Sequence, residues 1–222
     1  MNNSVTNTAR LLGAGLRALL VLTLVTGVIY PLAVTGVAQA LFDDQANGSE
    51  IKADGKVVGS SLIGQSYNLP LKEGQETPEP DLKWFQGRPQ NGLGANSVNT
   101  QYKLILSGAT NRSGDNKDLI DWVTAAKAAV VKDNSVGDYK VEPSDVPADA
   151  VTSSGSGLDP DISPQYADLQ VHRVAEKNGL SADQVQKLVD EHTDSRTLGF
   201  IGEPRVNVLE LNTALKELIK DS

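Results

Sequence analysis

The sequence predicts an α/β (mixed α+β) extracytoplasmic domain with one N-terminal transmembrane helix. Three observations lead to this fold class: an uncharged apolar run near the N-terminus, helical periodicity with capping residues in the last third, and short β-prone pieces between them. The roughly 180 residues beyond the apolar run are enough to bury one hydrophobic core.

The apolar run covers residues 18–41 and holds 24 residues without a charged side chain. Arg10 and Arg17 precede it, and Asp43 and Asp44 follow it. At about 1.5 Å of rise per residue the run makes a helix of roughly 36 Å, which can cross a hydrocarbon core of about 30 Å. The pattern predicts a membrane-spanning helix.

Charge on the two sides of this run predicts its orientation. Residues 1–17 carry two arginines and no acid, whereas residues 42–222 carry 18 basic and 28 acidic side chains, a formal charge of −10. Basic residues that flank a span are retained on the cytoplasmic side. We therefore expect a cytoplasmic N-terminus at 1–17, a transmembrane helix at 18–41 and an extracytoplasmic globular domain at 42–222.

A cleaved signal peptide is the competing interpretation of the same segment. Ala38 and Ala40 flank Gln39 in the small-x-small pattern that signal peptidase accepts. The apolar stretch is longer than the roughly 7–15 residues of an export signal, and this favours a retained anchor.

One face of the predicted span is suited to helix packing. Thr23, Thr26, Gly27 and Tyr30 fall at helical spacing, and Pro31 removes a backbone hydrogen bond in mid-span, which predicts a kink. Small and hydroxyl-bearing residues allow close helix contacts in lipid. We expect these five residues to pack against neighbouring membrane helices, with a simple lipid-facing anchor as the alternative.

Helices are predicted mainly beyond the middle of the chain. Apolar residues recur at helical spacing over 118–131, with Asp118 as the N-cap. Ser163 followed by Pro164 opens a helix to about Asn178, and Gly179 ends it.

The last two predicted helices are shorter. Ser181 and Gln184 form a capping box that starts a helix to His192. A final helix covers 208–219, with a buried stripe formed by Leu211, Leu215, Leu218 and Ile219.

Strands and loops are less sharply defined by the sequence. Short β-prone pieces at 56–58, 101–106 and 150–152 leave room for a small sheet. Residues 70–80 are polar and rich in proline, which predicts an exposed loop, and residues 132–147, rich in Asp, Ser, Gly and Pro, predict a second break.

Composition and motifs exclude several kinds of chemistry. A pI near 4.8 offers no basic surface for nucleic acid, and the lack of cysteine removes disulfides, thiolate catalysis and cysteine metal sites. There is no G-x-x-x-x-G-K-[ST] loop, and residues 153–157 do not fit G-x-S-x-G. His172 and His192 lie on different predicted helices, which favours capping or core roles over metal binding.

Two clusters of glycine and serine stand out, at 59–65 and at 154–164. Both could present backbone N–H groups and hydroxyls to an anion, and the second precedes the N-terminus of the Ser163 helix. Gln170 and Arg173 lie about two turns into that helix. A tight turn capped by Asp159 or Asp161 is the alternative interpretation.

Several motifs together resemble one family. They are GSSLIGQ at 59–65, WFQGRP at 84–89, SGATN at 107–111, SGSGLDP at 154–160, RVA at 173–175 and LGFIGEPRVNVLELN at 198–212. In this order they are similar to KdpC, the small subunit of the Kdp potassium-importing ATPase, over almost the whole chain. The shared Tyr-Pro pair in the span, at residues 30 and 31, belongs to the same resemblance.

The resemblance implies a non-catalytic subunit in a bacterial plasma (inner) membrane. Its partners would be a potassium-channel-like subunit and a P-type ATPase subunit, and it would stabilise their assembly. The chain has no D-K-T-G phosphorylation motif. The family is described as a catalytic chaperone that raises the ATP affinity of the pump subunit. This implies ATP as a ligand, for which the candidate residues here are Ser154, Gly155, Ser156, Gly157 and Gln170.

Two functional hypotheses follow from the sequence. The predicted topology puts residues 42–222 outside the cell, whereas ATP is cytoplasmic, so packing against the other subunits is the simpler mechanism. The alternative from another class is a membrane-anchored extracytoplasmic module that binds a small anion through its Gly/Ser clusters.

Overall fold

A computed structural model of the protein describes residues 3–75, 78–89, 107–108 and 111–220. It divides into two compact units, residues 1–50 and residues 51–222. The first is helical, and the second combines helices with two small sheets. The predicted mixed α+β class with one long apolar N-terminal helix is confirmed. The membrane side on which the second unit lies stays a prediction.

The N-terminal unit is built on one nearly continuous helix. Helix α1 (Asn3–Leu24) leads through a π-helical turn (Val25–Ile29) into α2 (Tyr30–Leu41), and a short α3 (Asp43–Ala46) follows. The 38 residues Ser4–Leu41 form a helix that is long and apolar enough to cross a membrane. The predicted span at 18–41 is therefore the C-terminal part of a longer helix.

The π-helical turn lies directly before Pro31, where the sequence predicts a kink. The N–H of Tyr30 donates to the carbonyl of Val25, five residues back, and the hydroxyl of Thr26 donates to the carbonyl of Leu22 at 2.7 Å. Proline lacks the N–H, and its ring collides with the carbonyl four residues earlier, so a wider turn relieves the crowding. Thr26 and Gly27 lie within this turn, and their predicted packing role, like that of Thr23, stays a prediction.

A tight hairpin opens the second unit. Strands β1 (Glu50–Ala53) and β2 (Lys56–Ser60) are joined by Asp54 and Gly55, both at positive φ, as two-residue hairpin turns require. The carboxylate of Asp54 also binds Lys216 at 2.8 Å and Lys220 at 2.6 Å. These ion pairs tie the hairpin to the C-terminal helix.

The ion pairs of Asp54 predict a pH dependence of stability. Hydrogen bonds and charge from Lys216 and Lys220 lower the pKa of Asp54 from 3.8 to about 2. A carboxyl whose pKa is lower in the folded chain stabilises it above pH 3.8, and the contribution is lost as the pH falls toward about 2. We expect Asp54→Asn to flatten the pH dependence of urea unfolding in that window. An unchanged slope would show that the ion pairs do not contribute.

Four helices form the body of the second unit: α4 (Lys117–Asn134), α5 (Pro164–Asn178), α6 (Ala182–Glu191) and α7 (Val208–Lys220). The predicted cap at Asp118 is wrong. Asn116 caps α4 by accepting from the N–H of Leu119 at 3.1 Å, while Asp118 pairs with Arg112. An N-cap residue directly precedes the helix, and its side chain bonds the N–H three residues later. Because the predicted helix starts too late, its cap falls at Asp118 rather than at Asn116.

The connection between α5 and α6 confirms its predicted chemistry. Ser163 caps α5 with Pro164 in its first turn, and Gly179 ends it in the left-handed conformation at φ 69°. Ser181 and Gln184 form the reciprocal capping box of α6. The predicted stripe of α7 is also found, with Leu211 and Leu215 fully buried and the two later residues partly buried.

A three-stranded antiparallel sheet was not predicted. Its order is β3 (Asp161–Ile162), β5 (Arg205–Asn207) and β4 (Thr193–Asp194). The strand predicted at 150–152 is wrong, because a 3₁₀ turn (Ala148–Ala150) and a further turn occupy this stretch and the carbonyl of Ala148 accepts from the Thr152 hydroxyl. The piece predicted at 101–106 lies outside the described residues.

The hydrophobic core surrounds α5. Its buried side chains come from all four helices, from β3 and β5, and from the loop that contains Phe85. Much of residues 70–80 is exposed, as predicted, and the base of this loop is closed by a bridge between Asn68 and Pro80. The core therefore fixes the loops that carry the sequence motifs.

Candidate functional site

Several of the sequence motifs meet at one loop of the second unit, residues 152–159. We call this arrangement the motif junction, and it consists of this loop with residues 59–65, Arg88, Gly108 and Asn207. Each member comes from a different motif of the chain. The junction is the candidate functional site because distant segments of the sequence converge there.

Arg88 holds the loop from one side. Its guanidinium donates to the carboxylate of Asp159 at 3.1 Å and to the carbonyls of Thr152 and Ser153 at 3.4 and 3.3 Å. Arginine presents several donors in a rigid fork, so one side chain can join three acceptors. The pair with Asp159 is partly buried, which reduces its screening by water.

Backbone bonds and one amide close the junction from the other side. Gly64 donates its N–H to the carbonyl of Leu158, and Gly108 donates to that of Ser156, both at 2.8 Å. Asn207 donates to the carbonyl of Ser61 at 2.8 Å, while its own oxygen accepts the first free N–H groups of α7. Sequence reasoning missed Asn207, although asparagine directly before a helix is a recognised capping signal.

The serines of the loop bind the loop itself. The hydroxyl of Ser154 accepts from the N–H of Gly157 at 2.9 Å, and that of Ser156 accepts from Leu158 at 3.1 Å. The two hydroxyls lie 3.2 Å apart. This is the hydrogen bonding of a tight turn, the alternative left open by the sequence.

The start of α5 already faces a carboxylate of the protein. Asp149 accepts from the N–H of Ser163 at 2.7 Å and from its hydroxyl at 3.0 Å. The hydroxyl of Ser163 in turn caps the N–H of Tyr166. A negative group favours a helix N-terminus, so Asp149 supplies internally the charge that a bound anion would bring.

A cavity of about 390 Å³ lies beside the junction, lined in part by Asp161, Asp194, Glu210 and Arg205. Burial raises the pKa of Asp161, although the nearby positive charge of Arg205 acts in the opposite direction. Three carboxyl groups against one guanidinium make this cavity unfavourable for an anionic ligand.

Gln170 lies away from any surface. It is fully buried, its oxygen accepts from Gln86 N–H at 2.7 Å and from Arg173 at 2.6 Å, and its amide nitrogen donates to the carbonyls of Gln86 and Tyr166. The structure therefore does not bring Gln170 to one exposed surface with Ser154 and Ser156. Nucleotide binding by these residues stays a prediction.

Gln170 belongs instead to a set of side chains that holds an extended segment. We call this set, formed by Gln170, Arg173, Asn178 and Asn212, the backbone clamp, and the segment it holds is 82–86. Each clamp residue bonds main-chain groups of the segment. The amide of Asn212 donates to the carbonyl of Phe85 and accepts from its N–H, both at 2.9 Å.

Arg173 is the charged member of the clamp. It is 1% exposed and donates to the carbonyls of Leu82 and Trp84 and to the side-chain oxygens of Asn134 and Gln170. These four acceptors are neutral. Burial lowers the pKa of Arg173 to about 10, because a desolvated cation is disfavoured.

Both histidines contact other groups of the protein. His172 stacks on Tyr139 with ring centroids 3.9 Å apart, and Nδ1 of His192 lies 2.8 Å from the carbonyl of Leu188. Within residues 3–75, 78–89, 107–108 and 111–220, no group of three or more His, Asp or Glu could hold a metal ion. In the same ranges no buried side-chain nitrogen or oxygen lacks a partner.

The motif junction leaves no space for a side chain at Gly59. A Cβ at this position would overlap the amide nitrogen of Gln65 and lie 2.7 Å from Cδ2 of Leu209. We expect Gly59→Ala to lower the free energy of unfolding by about 1 kcal/mol, measured by urea denaturation, because the ends of the Gln65 and Leu209 side chains must move and the bond from Gln65 to the carbonyl of Val58 is disturbed. Gly155→Ala is the matched control, because nothing lies within 4 Å of its Cβ. Equal effects of the two variants would contradict close packing at Gly59.

Comparison with known proteins gives one consistent result. The family model described as "KdpC: K+-transporting ATPase, c chain" matches residues 12–217. The potassium-transporting ATPase KdpC subunit of Streptomyces avermitilis is 86% identical over 222 residues, which is the full length of both chains. That of Streptomyces coelicolor is 79% identical and covers 99% of this chain and 97% of its own.

A more distant relative agrees. The KdpC subunit of Mycobacterium tuberculosis is 43% identical over 205 residues, covering 91% of this chain and 96% of its own. The matched region includes the motif junction, the backbone clamp and most of the long apolar helix. The chain therefore belongs to the KdpC family, the c chains of potassium-transporting ATPases.

Proposed function

We propose that this chain is a non-catalytic subunit of a bacterial ATP-driven potassium uptake complex that stabilises the assembly of the channel-like and pump subunits. The family match over residues 12–217 carries this proposal. The internal structure supports it, because the motifs serve to hold loops and segments in place rather than to assemble a nucleophile beside a base.

We propose that the long apolar helix anchors the chain in the membrane. Its charge pattern favours a cytoplasmic N-terminus and an extracytoplasmic domain in the plasma membrane. Thr23, Thr26, Gly27, Tyr30 and Pro31 are the residues we propose to contact neighbouring helices. The π-helical turn that contains Thr26 and Gly27 supports this assignment, since such turns are frequent at functional sites.

Co-purification tests the proposed assembly role. A C-terminally tagged chain is purified in mild detergent from membranes of potassium-starved cells, and the retained proteins are identified. Recovery of a P-type pump and a channel-like subunit supports the proposal. Removal of the gene for this chain is then expected to reduce the yield of the pump–channel complex. Recovery of the chain alone would contradict it.

We also propose a test for the chaperone role, in which the chain raises the ATP affinity of the pump subunit. The Ser154–Gly157 loop uses its hydroxyls internally, so a direct contact with ATP needs these bonds to rearrange. Binding of MgATP to the full-length chain is measured by calorimetry, with Ser154→Ala as the test variant. Loss of measurable binding in the variant would support nucleotide contact. If the wild-type chain does not bind MgATP, any effect of the chain on the ATP affinity of the pump subunit must act through subunit packing.

An anchored small-anion binding module is the second hypothesis, and the site geometry favours it less. Asp149 already occupies the start of α5, and the cavity beside the junction is lined by carboxyl groups. Calorimetry with inorganic phosphate separates the two hypotheses. Saturable binding by the chain alone would favour the module, and no heat of binding would favour the subunit.

A further inference from the structure

The loop between β4 and β5 carries three exposed apolar side chains at its end. Leu198 is 79% exposed, Phe200 is 72% exposed and Ile201 is 51% exposed. We call these three residues the apolar tip. The neighbouring residues of 194–205 are exposed as well, and grouped exposed apolar residues mark interaction sites.

The tip is held in one conformation by its own backbone. Thr197 and Ile201 exchange N–H and carbonyl bonds of 2.9 and 3.0 Å, and Gly199 donates to the carbonyl of Arg196 at 2.9 Å. Gly199 and Gly202 both take φ 80°, which glycine tolerates. The tip is thus a preformed turn, and a preformed turn loses little conformational freedom on docking.

Leu198 is the unexpected residue in this turn. Its φ is 53°, a region that leucine rarely adopts and that asparagine or glycine adopts readily. A residue chosen only to form the turn would be one of these. Leucine at this position accepts backbone strain and exposes an apolar side chain, and both costs are explained if the side chain docks elsewhere.

The charges beside the apolar tip favour a protein partner over a lipid surface. Within residues 193–205 the four charged side chains are all paired: Arg196 with Glu203 at 2.5 Å, and Arg205 with Asp194 at 3.3 Å. The loop therefore keeps no free cation for anionic headgroups. The chain beyond the span carries a formal charge of −10, which opposes approach to an anionic membrane.

We infer that the apolar tip docks into an apolar pocket on another subunit of the potassium-transporting ATPase. The inference rests on the proposed function and adds to it the surface used and the chemistry of the partner site. Buried aromatic and aliphatic anchors dominate the energetics of protein interfaces, and a rigid turn bearing Phe200 and Leu198 has this character.

The test variant combines Leu198→Asn with Phe200→Ser. Asparagine keeps the positive φ of the turn while removing its apolar surface, so the chain is expected to fold as before. The matched control is Ile120→Ser, which removes a half-exposed apolar side chain from α4. Unfolding of each purified chain in detergent checks that the fold is unchanged.

Assembly is measured by competition. Differently tagged wild-type and variant chains are expressed together with the other subunits, and their ratio in the purified complex is determined. We expect the tip variant to be disfavoured roughly 10- to 100-fold and the control to be incorporated like wild type. If the tip variant is incorporated as well as wild type while wild type assembles normally, docking of the apolar tip is contradicted and the proposed function is not. A wild-type chain that does not assemble at all would instead contradict the proposed function.

A fluorescence measurement tests the lipid alternative. The chain has no cysteine, so Phe200→Cys allows a single environment-sensitive label. The labelled full-length chain is placed in vesicles of phosphatidylcholine and phosphatidylglycerol that contain spin-labelled lipid. We expect quenching no greater than that of a label at Ile120→Cys, and protection of the label when the other subunits are present. Strong quenching by lipid in the chain alone would overturn docking on a protein pocket.

Discussion

Replacing Arg173 with methionine is expected to lower the free energy of unfolding of the chain by about 3–5 kcal/mol. The substitution removes the guanidinium that satisfies the carbonyls of Leu82 and Trp84 and the side-chain oxygens of Asn134 and Gln170. Methionine fills much of the volume but donates no hydrogen bond, so buried acceptors are left unpaired. Urea denaturation followed by circular dichroism in detergent measures the change.

The control for this prediction lies on the same helix. Lys177→Met removes a cation from an exposed position of α5, where we expect a change within about 0.5 kcal/mol. A shift for Arg173→Met no larger than that of the control would show that the backbone clamp does not stabilise the fold. The expected consequence for function is loss of the assembled complex, since a destabilised chain is removed in the cell.

Phe85→Ala is expected to have an effect of similar size, about 3–5 kcal/mol. The Phe85 ring is fully buried in the core, and its deletion leaves a cavity in the segment that the clamp holds. Phe85→Leu keeps most of the volume and is expected to cost less. Phe200→Ala is the matched control, because the same atoms are removed from a side chain that is 72% exposed.

The effects of substituting Arg173 and Phe85 on stability are expected to be coupled. Arg173 bonds the carbonyl of Trp84, the residue before Phe85, so the two substitutions act on one segment. The double variant is expected to lose less stability than the two single variants together, because the segment detaches after either change. Strict additivity, or equal effects of Phe85→Ala and Phe200→Ala, would contradict a segment held as a unit.

Local features of the fold could be predicted from the sequence because their causes are local. The apolar run, the cap formed by Ser163, the left-handed Gly179 and the Ser181 capping box depend on residues within one or two turns of each other. At the start of α4 the local capping signal is ambiguous. Asn116 and Asp118 can both cap a helix, and the prediction chose the wrong one.

The strand piece predicted at 56–58 lies within β2, but the three-stranded sheet was not predicted, for a physical reason. β3, β4 and β5 contain two or three residues each, too few for a period-two pattern, and they exist because β5 bonds two segments distant in sequence. The stretch at 150–152 has β-prone side chains, yet the carbonyl of Ala148 accepts local hydrogen bonds that make it a turn.

The candidate site shows the same division. Sequence motifs identified the loop at 154–157 and the helix residues Gln170 and Arg173, but they could not show that the helix residues face inward. Only the fold reveals that Arg88 closes the loop and that Asn207 donates to the carbonyl of Ser61. These contacts span more than 60 residues of sequence, and no local pattern encodes them.

The sequence by itself determined the family, the apolar helix and the capped helices of the second unit. The tertiary structure decided the roles of the polar motif residues: the serines stabilise a turn, the helix amides hold segment 82–86, and Leu198 and Phe200 stay exposed. The physical reason is that a polar side chain is compatible with a ligand or with a backbone group. Which of the two it binds depends on what the fold brings within hydrogen-bonding distance.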